Sequence, residues 1–204
     1  MVVVVDYGLG NLRSVAGAVE KVAYMPLISN RIEDLEKADK LILPGVGAFG
    51  DGMTNLHRLG LVEPLTRFVM QQGKPILGIC LGSQLMARDG YEFGYHQGLG
   101  WIEASVTKLE TGNNGLRVPH VGWNSLVQLK DSLLFCGIPQ DVLFYYVHSF
   151  HVQCDPRDIV VGECEYGVKF VAAFQQGNIY GTQFHPEKSQ LYGLTLLKNF
   201  LERA

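Results

Sequence analysis

The sequence has little of several features that mark whole classes of protein. It has only four cysteines in 204 residues, widely spaced and without a Cys-x-x-Cys pair, which argues against a disulfide framework. The apolar start Met1–Val5 is far too short to cross a membrane, and it lacks the basic flank and cleavage site of a signal peptide. We therefore expect a cytoplasmic protein with free thiols and no membrane partner.

Positive charge is also scarce. The chain has 17 basic and 20 acidic residues, for a formal net charge of -3, and no cluster of Lys and Arg that could follow a phosphate backbone. We expect no nucleic-acid partner. Hydrophobic residues make up 47% and charged residues 18%, a balance typical of a compact domain. The length and the absence of linkers or repeats predict one domain over residues 1–204.

The N-terminal half alternates short apolar segments with amphipathic ones, the pattern of parallel strands joined by helices in an α/β fold. It predicts strands over Val2–Asp6, Lys40–Leu43 and Pro75–Ile79, and helices over Leu12–Ala23, Leu61–Gln72 and Ser83–Arg88.

From Gly98 onward, shorter segments separated by Gly, Asn and Pro favour antiparallel pairing. We expect a loop over Thr111–Gly115 and a hairpin turn at Gly177-Asn178. The predicted strands are Ile102–Lys108, Val142–Phe150, Val168–Gln175 and Asn178–Phe184, before a final helix over Leu191–Glu202.

Cys80 is a candidate nucleophile in the segment Gly78-Ile79-Cys80-Leu81-Gly82. A strand that runs through such small residues into a helix can form a nucleophile elbow, which lifts the central side chain off the sheet. The helix N-terminus favours a thiolate, and the N–H of Leu81 could point at a developing oxyanion. The alternative is that Cys80 is a small buried hydrophobic residue.

A candidate base lies near the C-terminus, in His185-Pro186-Glu187. Residues two apart in extended backbone project to the same side, and Pro186 biases His185 toward that conformation. Alone, such a tripeptide is more often a surface turn. Together with the elbow, however, it supplies the oriented base that a Cys-His-Glu triad needs.

Two other patterns are too weak to carry a function. Gly8-Leu9-Gly10 after a strand lacks the third glycine of a dinucleotide loop. His148, His151, Cys154 and Cys164 lack the spacing of zinc ligands, and we expect the two histidines to face opposite sides of a strand. We therefore expect no metal and no cofactor, and Cys136, Cys154 and Cys164 as unpaired thiols.

The motifs resemble those of the class I, triad-type glutamine amidotransferases. Within that family the chain most resembles glutaminase subunits of imidazole glycerol phosphate synthase, which serve histidine biosynthesis. Besides the Cys80 elbow, the resemblance rests on Asp6–Leu12, Leu43–Phe49, Pro119–Asn124 and Gly181–Ser189.

The resemblance implies a doubly wound, mixed and mostly parallel sheet flanked by helices. It also implies a reaction, in which Cys80 attacks the side-chain amide of L-glutamine and His185, held by Glu187, transfers the protons. The implied oxyanion donors are the N–H of Leu81 and one from the loop Pro44–Gly47, at Val46 or Gly47, which could flip its backbone. The implied substrate contacts are Gln84, Glu92, Ser149 and Phe150.

The resemblance further implies that ammonia passes to a separate (β/α)8 cyclase subunit, forming a heterodimer. The implied interface residues are Asn11, Trp123, Tyr145 and Lys188. Two other functions stay open from the sequence: a stand-alone cysteine hydrolase or peptidase, and an inactive binding or scaffold subunit.

Overall fold

The protein is described by a computed structural model covering residues 1–112, 115–155 and 157–204. Its strands are Val2–Val5 (β1), Pro26–Ser29 (β2), Lys40–Leu43 (β3), Ile76–Ile79 (β4), Ala87–Gly90 (β5), His96–Gln97 (β6), Ile102–Lys108 (β7), His120–Ser125 (β8), Val127–Gln128 (β9), Leu143–His148 (β10), Phe150–Cys154 (β11), Val160–Tyr166 (β12), Val168–Gln176 (β13) and Ile179–Thr182 (β14).

The α-helices are Leu12–Lys21 (α1), Ile32–Lys37 (α2), Phe49–Arg58 (α3), Val62–Thr66 (α4), Leu81–Gln84 (α5) and Gln190–Arg203 (α6). A π-helical segment, Arg67–Gln71, continues α4, and single 3-10 turns cover Leu133–Phe135, Arg157–Ile159 and Pro186–Lys188. None of the described helices is long and apolar enough to cross a membrane.

An eight-stranded sheet runs through the molecule in the order β2-β1-β3-β4-β14-β13-β12-β9. Its first five strands are parallel, and β13, β12 and β9 pair antiparallel. A ribbon of β10 and β8 and a four-stranded sheet, β11-β7-β5-β6, complete the fold. This is the mixed, mostly parallel α/β sheet that the sequence predicts.

The two faces of the large sheet bury separate apolar clusters. In β1, Val3 and Val5 join one cluster, whereas Val2 and Val4 join the other, as expected for a strand whose side chains alternate between faces. The first cluster holds helices α2, α3 and α4, and the second holds α1 and α6. Helices therefore cover both sides of the sheet.

The predicted helix over Ser83–Arg88 is wrong. Helix α5 ends at Gln84, and Ala87–Gly90 forms β5, which pairs with β7. The N–H groups of the segment 98–102 bond the carbonyls of Leu85, Met86, Ala87 and Arg88, so these carbonyls are not available to the next turn of a helix. Long-range hydrogen bonds thus favour the strand over a continued helix.

The single strand predicted over Val142–Phe150 is also wrong, because the strand is interrupted at Ser149. The part before the break, β10, pairs with β8, and the part after it, β11, pairs with β7 in another sheet. The hairpin of β13 and β14 is confirmed, with its turn at Gly177-Asn178. Part of the loop predicted over Thr111–Gly115 lies outside the described residues.

Candidate active site

Cys80 lies at the end of β4, immediately before α5, in a backbone conformation that non-glycine residues rarely adopt. Its φ is +52° and its ψ is -112°, and such strain is characteristic of functional turns. The surroundings hold the turn in place. The N–H of Cys80 donates to the carbonyl of Thr182 at 2.7 Å, and the Ser83 hydroxyl donates to the carbonyl of Cys80 at 2.7 Å.

His185 reaches Cys80 because β14 runs parallel beside β4. Thr182 pairs with Ile79, so both strands deliver the residues that follow them to the same edge of the sheet. The backbone of His185 is fixed on both sides. Its N–H donates to the carbonyl of Tyr145 at 2.9 Å, and its own carbonyl accepts from the Ser189 hydroxyl at 2.6 Å.

The side chains of His185 and Glu187 form a buried pair. Nδ1 of His185 lies 2.8 Å from Oε1 of Glu187, and only 2% and 1% of the two side chains are exposed. His185 is extended, with φ -100° and ψ 95°, but Pro186–Lys188 forms a 3-10 turn. The pairing of the two side chains is as expected, whereas the extended backbone predicted from their spacing stops at His185. This hydrogen bond orients the imidazole and fixes its tautomer.

The free side of the imidazole faces Cys80. Among the described residues, Nε2 of His185 has no hydrogen-bond partner of ordinary geometry, so it is available to a reacting group. Burial lowers the pKa of His185, but hydrogen bonding and charge interactions with Cys80 and Glu187 outweigh burial and raise it to about 9. The imidazole is therefore readily protonated in this site, as a group that exchanges protons during a reaction must be.

Two polar groups approach the sulfur itself. The thiol of Cys80 donates to the carbonyl of Val147 at 3.8 Å, and Nε2 of Gln183 donates to Sγ at 3.7 Å. Cys80 is buried, with 6% of its surface exposed, so these neighbours and His185 define its environment. They distinguish it from a cysteine that is merely packed among apolar side chains.

A cavity of about 240 Å³ opens over Cys80. It gathers every residue proposed from the sequence for the oxyanion and for the substrate, although these come from four separate segments of the chain. The lining is Val46, Gly47, Cys80, Leu81, Gln84, Glu92, Pro119, Val147, His148, Ser149 and Phe150. His185 and Glu187 do not line it and lie buried beside the sulfur.

The candidate oxyanion donors lie on two sides of the elbow. Leu81 is the first residue of α5, so its N–H has no carbonyl within the helix to bond. In the loop Pro44–Gly47, a Cβ on Gly45 would lie 2.4 Å from the Tyr7 hydroxyl oxygen. Position 45 therefore has no room for a side chain, whereas Val46 and Gly47 are exposed and line the cavity.

Gln84 and Glu92 already have partners within the protein. Nε2 of Gln84 donates to the carbonyl of Phe150 at 2.9 Å and to Oε1 of Gln183 at 3.0 Å. Oε2 of Glu92 accepts from the N–H of Phe49 at 2.8 Å, at the first turn of α3. Glu92 therefore caps a helix with one oxygen and lines the cavity, a structural role that its position in the sequence did not suggest.

Three of the four proposed interface residues lie together on the surface. Trp123 packs edge-on against Tyr145, with ring centroids 6.0 Å apart, and Nζ of Lys188 lies 5.7 Å from the centroid of Tyr145. Trp123 is 44% exposed. Asn11 is exposed at the start of α1, where its side chain accepts from the N–H of Ser14.

Sequence reasoning missed a pair of buried histidines beside the cavity. Nδ1 of His120 lies 3.1 Å from Nε2 of His148 across the β8–β10 ribbon. Burial lowers the pKa of His120 to about 4 and that of His148 to about 3, so both rings are neutral. The sequence suggests His148 only as a possible metal ligand. No sequence pattern indicates that it lies beside His120.

The remaining cysteines lie away from this cavity. Cys136 is exposed, whereas burial raises the pKa of Cys154 to about 11 and that of Cys164 to about 12. All four thiols are free. Among residues 1–112, 115–155 and 157–204, no three His, Cys, Asp or Glu side chains form a group that could hold a metal ion.

Comparison with known proteins explains this arrangement. The family described as "Glutamine amidotransferase class-I" matches residues 3–204. The chain belongs to the class I glutamine amidotransferase family. It is accordingly a glutamine amidotransferase, which confirms the enzyme class predicted from the Cys80 and His185 motifs.

Curated relatives show which group of class I glutamine amidotransferases the chain resembles. The chain is 51% identical to imidazole glycerol phosphate synthase subunit HisH 1 of Campylobacter jejuni strain RM1221, over 98% of this chain and 99% of that one. It is 45% identical to the HisH subunit of Aquifex aeolicus, over 99% of this chain and 96% of the relative. The predicted relationship to glutaminase subunits of this synthase is therefore confirmed.

Solved structures show the same fold at lower sequence identity. The structure of PurLQS from Thermotoga maritima matches with a TM-score of 0.76 at 19% identity, over 98% of this chain and 96% of that one. A glutamine amidotransferase crystal structure matches with a TM-score of 0.74 at 21% identity, over 99% and 98%. These similarities confirm the predicted fold class.

Proposed function

We propose that the chain is the glutaminase subunit of an imidazole glycerol phosphate synthase, that Cys80, His185 and Glu187 are its catalytic triad, and that its ammonia passes to a (β/α)8 cyclase subunit. The observation that carries the assignment of the triad is the buried His185–Glu187 hydrogen bond of 2.8 Å. It presents a free imidazole nitrogen to a thiol on a strained turn, at the floor of a cavity.

The chemistry begins when Sγ of Cys80 gives its proton to Nε2 of His185 and attacks the side-chain amide carbon of glutamine. The negative charge that develops on the amide oxygen meets the N–H of Leu81 and a second donor from Val46 or Gly47. His185 then protonates the leaving nitrogen, which departs as ammonia and leaves a glutamyl thioester on Cys80.

Water completes the cycle. His185 takes a proton from a water molecule, which attacks the thioester carbon, and the proton returns to the departing sulfur of Cys80. The products are glutamate and ammonia, and the enzyme is restored. Glu187 keeps Nδ1 protonated throughout, so that Nε2 is always the nitrogen that exchanges protons.

The rest of the cavity suits the other end of the substrate. Glutamine carries an α-ammonium and an α-carboxylate at the end opposite its amide. The carboxylate of Glu92 offers a counter-charge for the ammonium, the backbone at Ser149 and Phe150 offers polar groups for the α-carboxylate, and Gln84 borders the amide. All four line the cavity.

The proposed partner surface is the cluster of Trp123, Tyr145 and Lys188, in which Trp123 is exposed and the other two are half-buried, together with the exposed Asn11. Trp123 also borders a shallow apolar cavity with Leu143 and Leu191, which are 51% and 68% exposed. Aromatic and apolar side chains of this kind, rimmed by a lysine, are typical of the centre of a protein interface. In the proposed complex the partner subunit uses the ammonia to form imidazole glycerol phosphate and an aminoimidazole carboxamide ribonucleotide.

The decisive experiment measures glutamate release from glutamine by the purified chain, alone and with a candidate cyclase subunit and its nucleotide ligand. We expect a strong increase on assembly, and loss of the activity in Cys80→Ala, while Cys80→Ala still assembles and supports ammonia-dependent synthesis. Activity that ignores the partner, or cleavage of peptides, would contradict the proposal. Loss of both activities in Cys80→Ala would make Cys80 structural.

The interface is tested by the affinity of the two subunits. Trp123→Ala should weaken binding by about a hundredfold or more, as for a central aromatic residue. The matched control is Leu129→Ala, because Leu129 is 47% exposed but follows β9, the edge strand of the large sheet. Equal affinities for the two variants would place the partner elsewhere.

A further inference from the structure

A continuous series of hydrogen bonds, three of them buried and three partly buried, connects strand β8 with the sulfur of Cys80. It passes through side chains and one backbone carbonyl from three strands and a helix. In order, the groups are Asn124, His120, His148, the carbonyl of Phe150, Gln84, Gln183 and Cys80. We call it the Asn124–Cys80 series.

The carbonyl of Phe150 sets the direction of the bonds on the histidine side. A carbonyl only accepts, so Nδ1 of His148, at 2.9 Å, must carry the proton. In a neutral ring, Nε2 of His148 then accepts from Nδ1 of His120. Nε2 of His120 in turn accepts from Nδ2 of Asn124 at 3.3 Å. One tautomer of each ring satisfies all of these contacts.

The same carbonyl sets the direction on the amide side. It also accepts from Nε2 of Gln84, so the second proton on that nitrogen goes to Oε1 of Gln183. With its oxygen occupied, the amide of Gln183 must turn its nitrogen toward Sγ of Cys80. The orientation of the amide beside the nucleophile therefore follows from the contacts behind it.

Packing keeps these groups from adopting other positions. Gln84 and Gln183 are 4% and 2% exposed, and His120 is 2% exposed. The His120 ring stacks between Tyr146 and Tyr166, with centroid distances of 4.9 Å and 4.1 Å. Gln183 and His120 do not line the cavity over Cys80, so either residue would be left as an unsatisfied buried polar group if it lost its partner.

We propose that Gln183 is a positioning residue for the nucleophile, and that His120 and His148 hold its amide in place through the carbonyl of Phe150 and Gln84. This proposal rests on the proposed function only in taking Cys80 as the reactive thiol. The side-chain N–H of Gln183 contacts the sulfur of Cys80 both before and after the thiol proton moves to His185. The contact becomes stronger once the sulfur is negative.

The test uses the rate at which iodoacetamide alkylates Cys80, because alkylation needs the reactive sulfur but neither glutamine nor a partner. The full chain carries Cys136→Ser, since Cys136 is exposed, and mass spectrometry follows the peptide that contains Cys80. Gln183→Met keeps the length of the side chain and removes the amide. We expect its rate to fall about tenfold or more, the scale of a hydrogen bond to a charged group.

The matched control is Gln153→Met, because Gln153 is exposed on β11 and should alkylate at the parent rate. His148→Leu removes both ring nitrogens and should also slow alkylation, whereas His148→Asn can still donate toward the Phe150 carbonyl and should recover most of the rate. If Gln183→Met does not fold, the two His148 variants test the proposal instead. Equal alkylation rates in His148→Leu and His148→Asn would overturn it.

A double variant separates the Asn124–Cys80 series from general loosening of the site. If His148 acts through Gln183, then His148→Leu should slow alkylation little further in the Gln183→Met background. Independent, additive effects would overturn the proposal, as would parent-like alkylation of Gln183→Met. If Cys80→Ala keeps its glutaminase activity, the proposed function fails, and the alkylation rates still decide the role of Gln183.

Discussion

The backbone of Gly82 lies directly against the carbonyl oxygen of Leu43, so that a Cβ on Gly82 would stand 1.8 Å from that oxygen. Leu43 ends β3, the strand next to β4, and precedes the loop Pro44–Gly47. The contact thus joins the elbow that carries Cys80 to the loop proposed to supply an oxyanion donor. Only glycine allows the two backbones to approach so closely.

Gly82→Ala should therefore disrupt the elbow. Leu43 is held by its pairing with Gly78 in the sheet, and Gly82 lies in α5 just after the strained turn at Cys80. We therefore expect the free energy of unfolding to fall by about 3 kcal/mol or more and glutaminase activity to be lost. The control is Gly17→Ala in helix α1, where a Cβ meets nothing within 4 Å. That change should stabilise the protein by up to about 1 kcal/mol. Denaturant unfolding of both variants measures the contrast.

The members of the triad should act as a unit. His185→Asn removes the base and should lower kcat/KM for glutamine about 10³-fold or more, nearly as much as Cys80→Ala. Glu187→Gln keeps a hydrogen-bond acceptor for Nδ1 and should cost less. Steady-state measurements of kcat/KM on the assembled enzyme compare the losses of activity in the three variants. A series in which Glu187 matters most would contradict the assigned roles.

Alkaline pH should weaken the folded state through His185. Its pKa in the folded protein, about 9, lies above its ordinary value of 6.5, so the folded chain binds a proton there that the unfolded chain has released. The stabilisation is complete below pH 6.5 and is lost as the pH rises through about 9. Denaturant unfolding should show this decline in the parent, and a smaller one in His185→Asn. Equal losses of stability in the parent and in His185→Asn would contradict this role of His185.

Acid should weaken the folded state through the histidine pair, for the opposite reason. The pKa values of His120 and His148, about 4 and about 3, lie below 6.5, so the unfolded chain takes up protons that the folded chain excludes. Stability should fall as the pH drops from 6.5 toward 4. Because carboxylates contribute to any acid transition, the measurement compares the parent with His148→Asn, which should lose less stability over this range.

The fold class and the three triad residues can be predicted from the sequence, because both depend on local patterns. Buried β-branched runs indicate parallel strands, and residues that follow neighbouring parallel strands meet at one edge, as Cys80 and His185 do. The break at Ser149 and strand β5 depend instead on long-range pairing. Gln183 stood within a recognised motif, yet its contact with Cys80 arises only from the orientation imposed by Gln84.

Glu92 combines two roles that one substitution can separate. One carboxylate oxygen caps α3 at Phe49, and the negative charge is proposed to hold the α-ammonium of glutamine. Glu92→Gln keeps an oxygen acceptor for the cap and removes the charge. We expect KM for glutamine to rise about tenfold or more with a smaller change in kcat, and the free energy of unfolding to stay within about 0.5 kcal/mol of the parent.

Glu92→Ala removes both the charge and the cap, so it should raise KM similarly and also destabilise the protein by about 1 kcal/mol. Steady-state kinetics with the partner present, together with denaturant unfolding, resolve the two effects. If Glu92→Gln binds glutamine as well as the parent does, the carboxylate serves α3 alone. The α-ammonium would then have to be recognised by another group in the cavity.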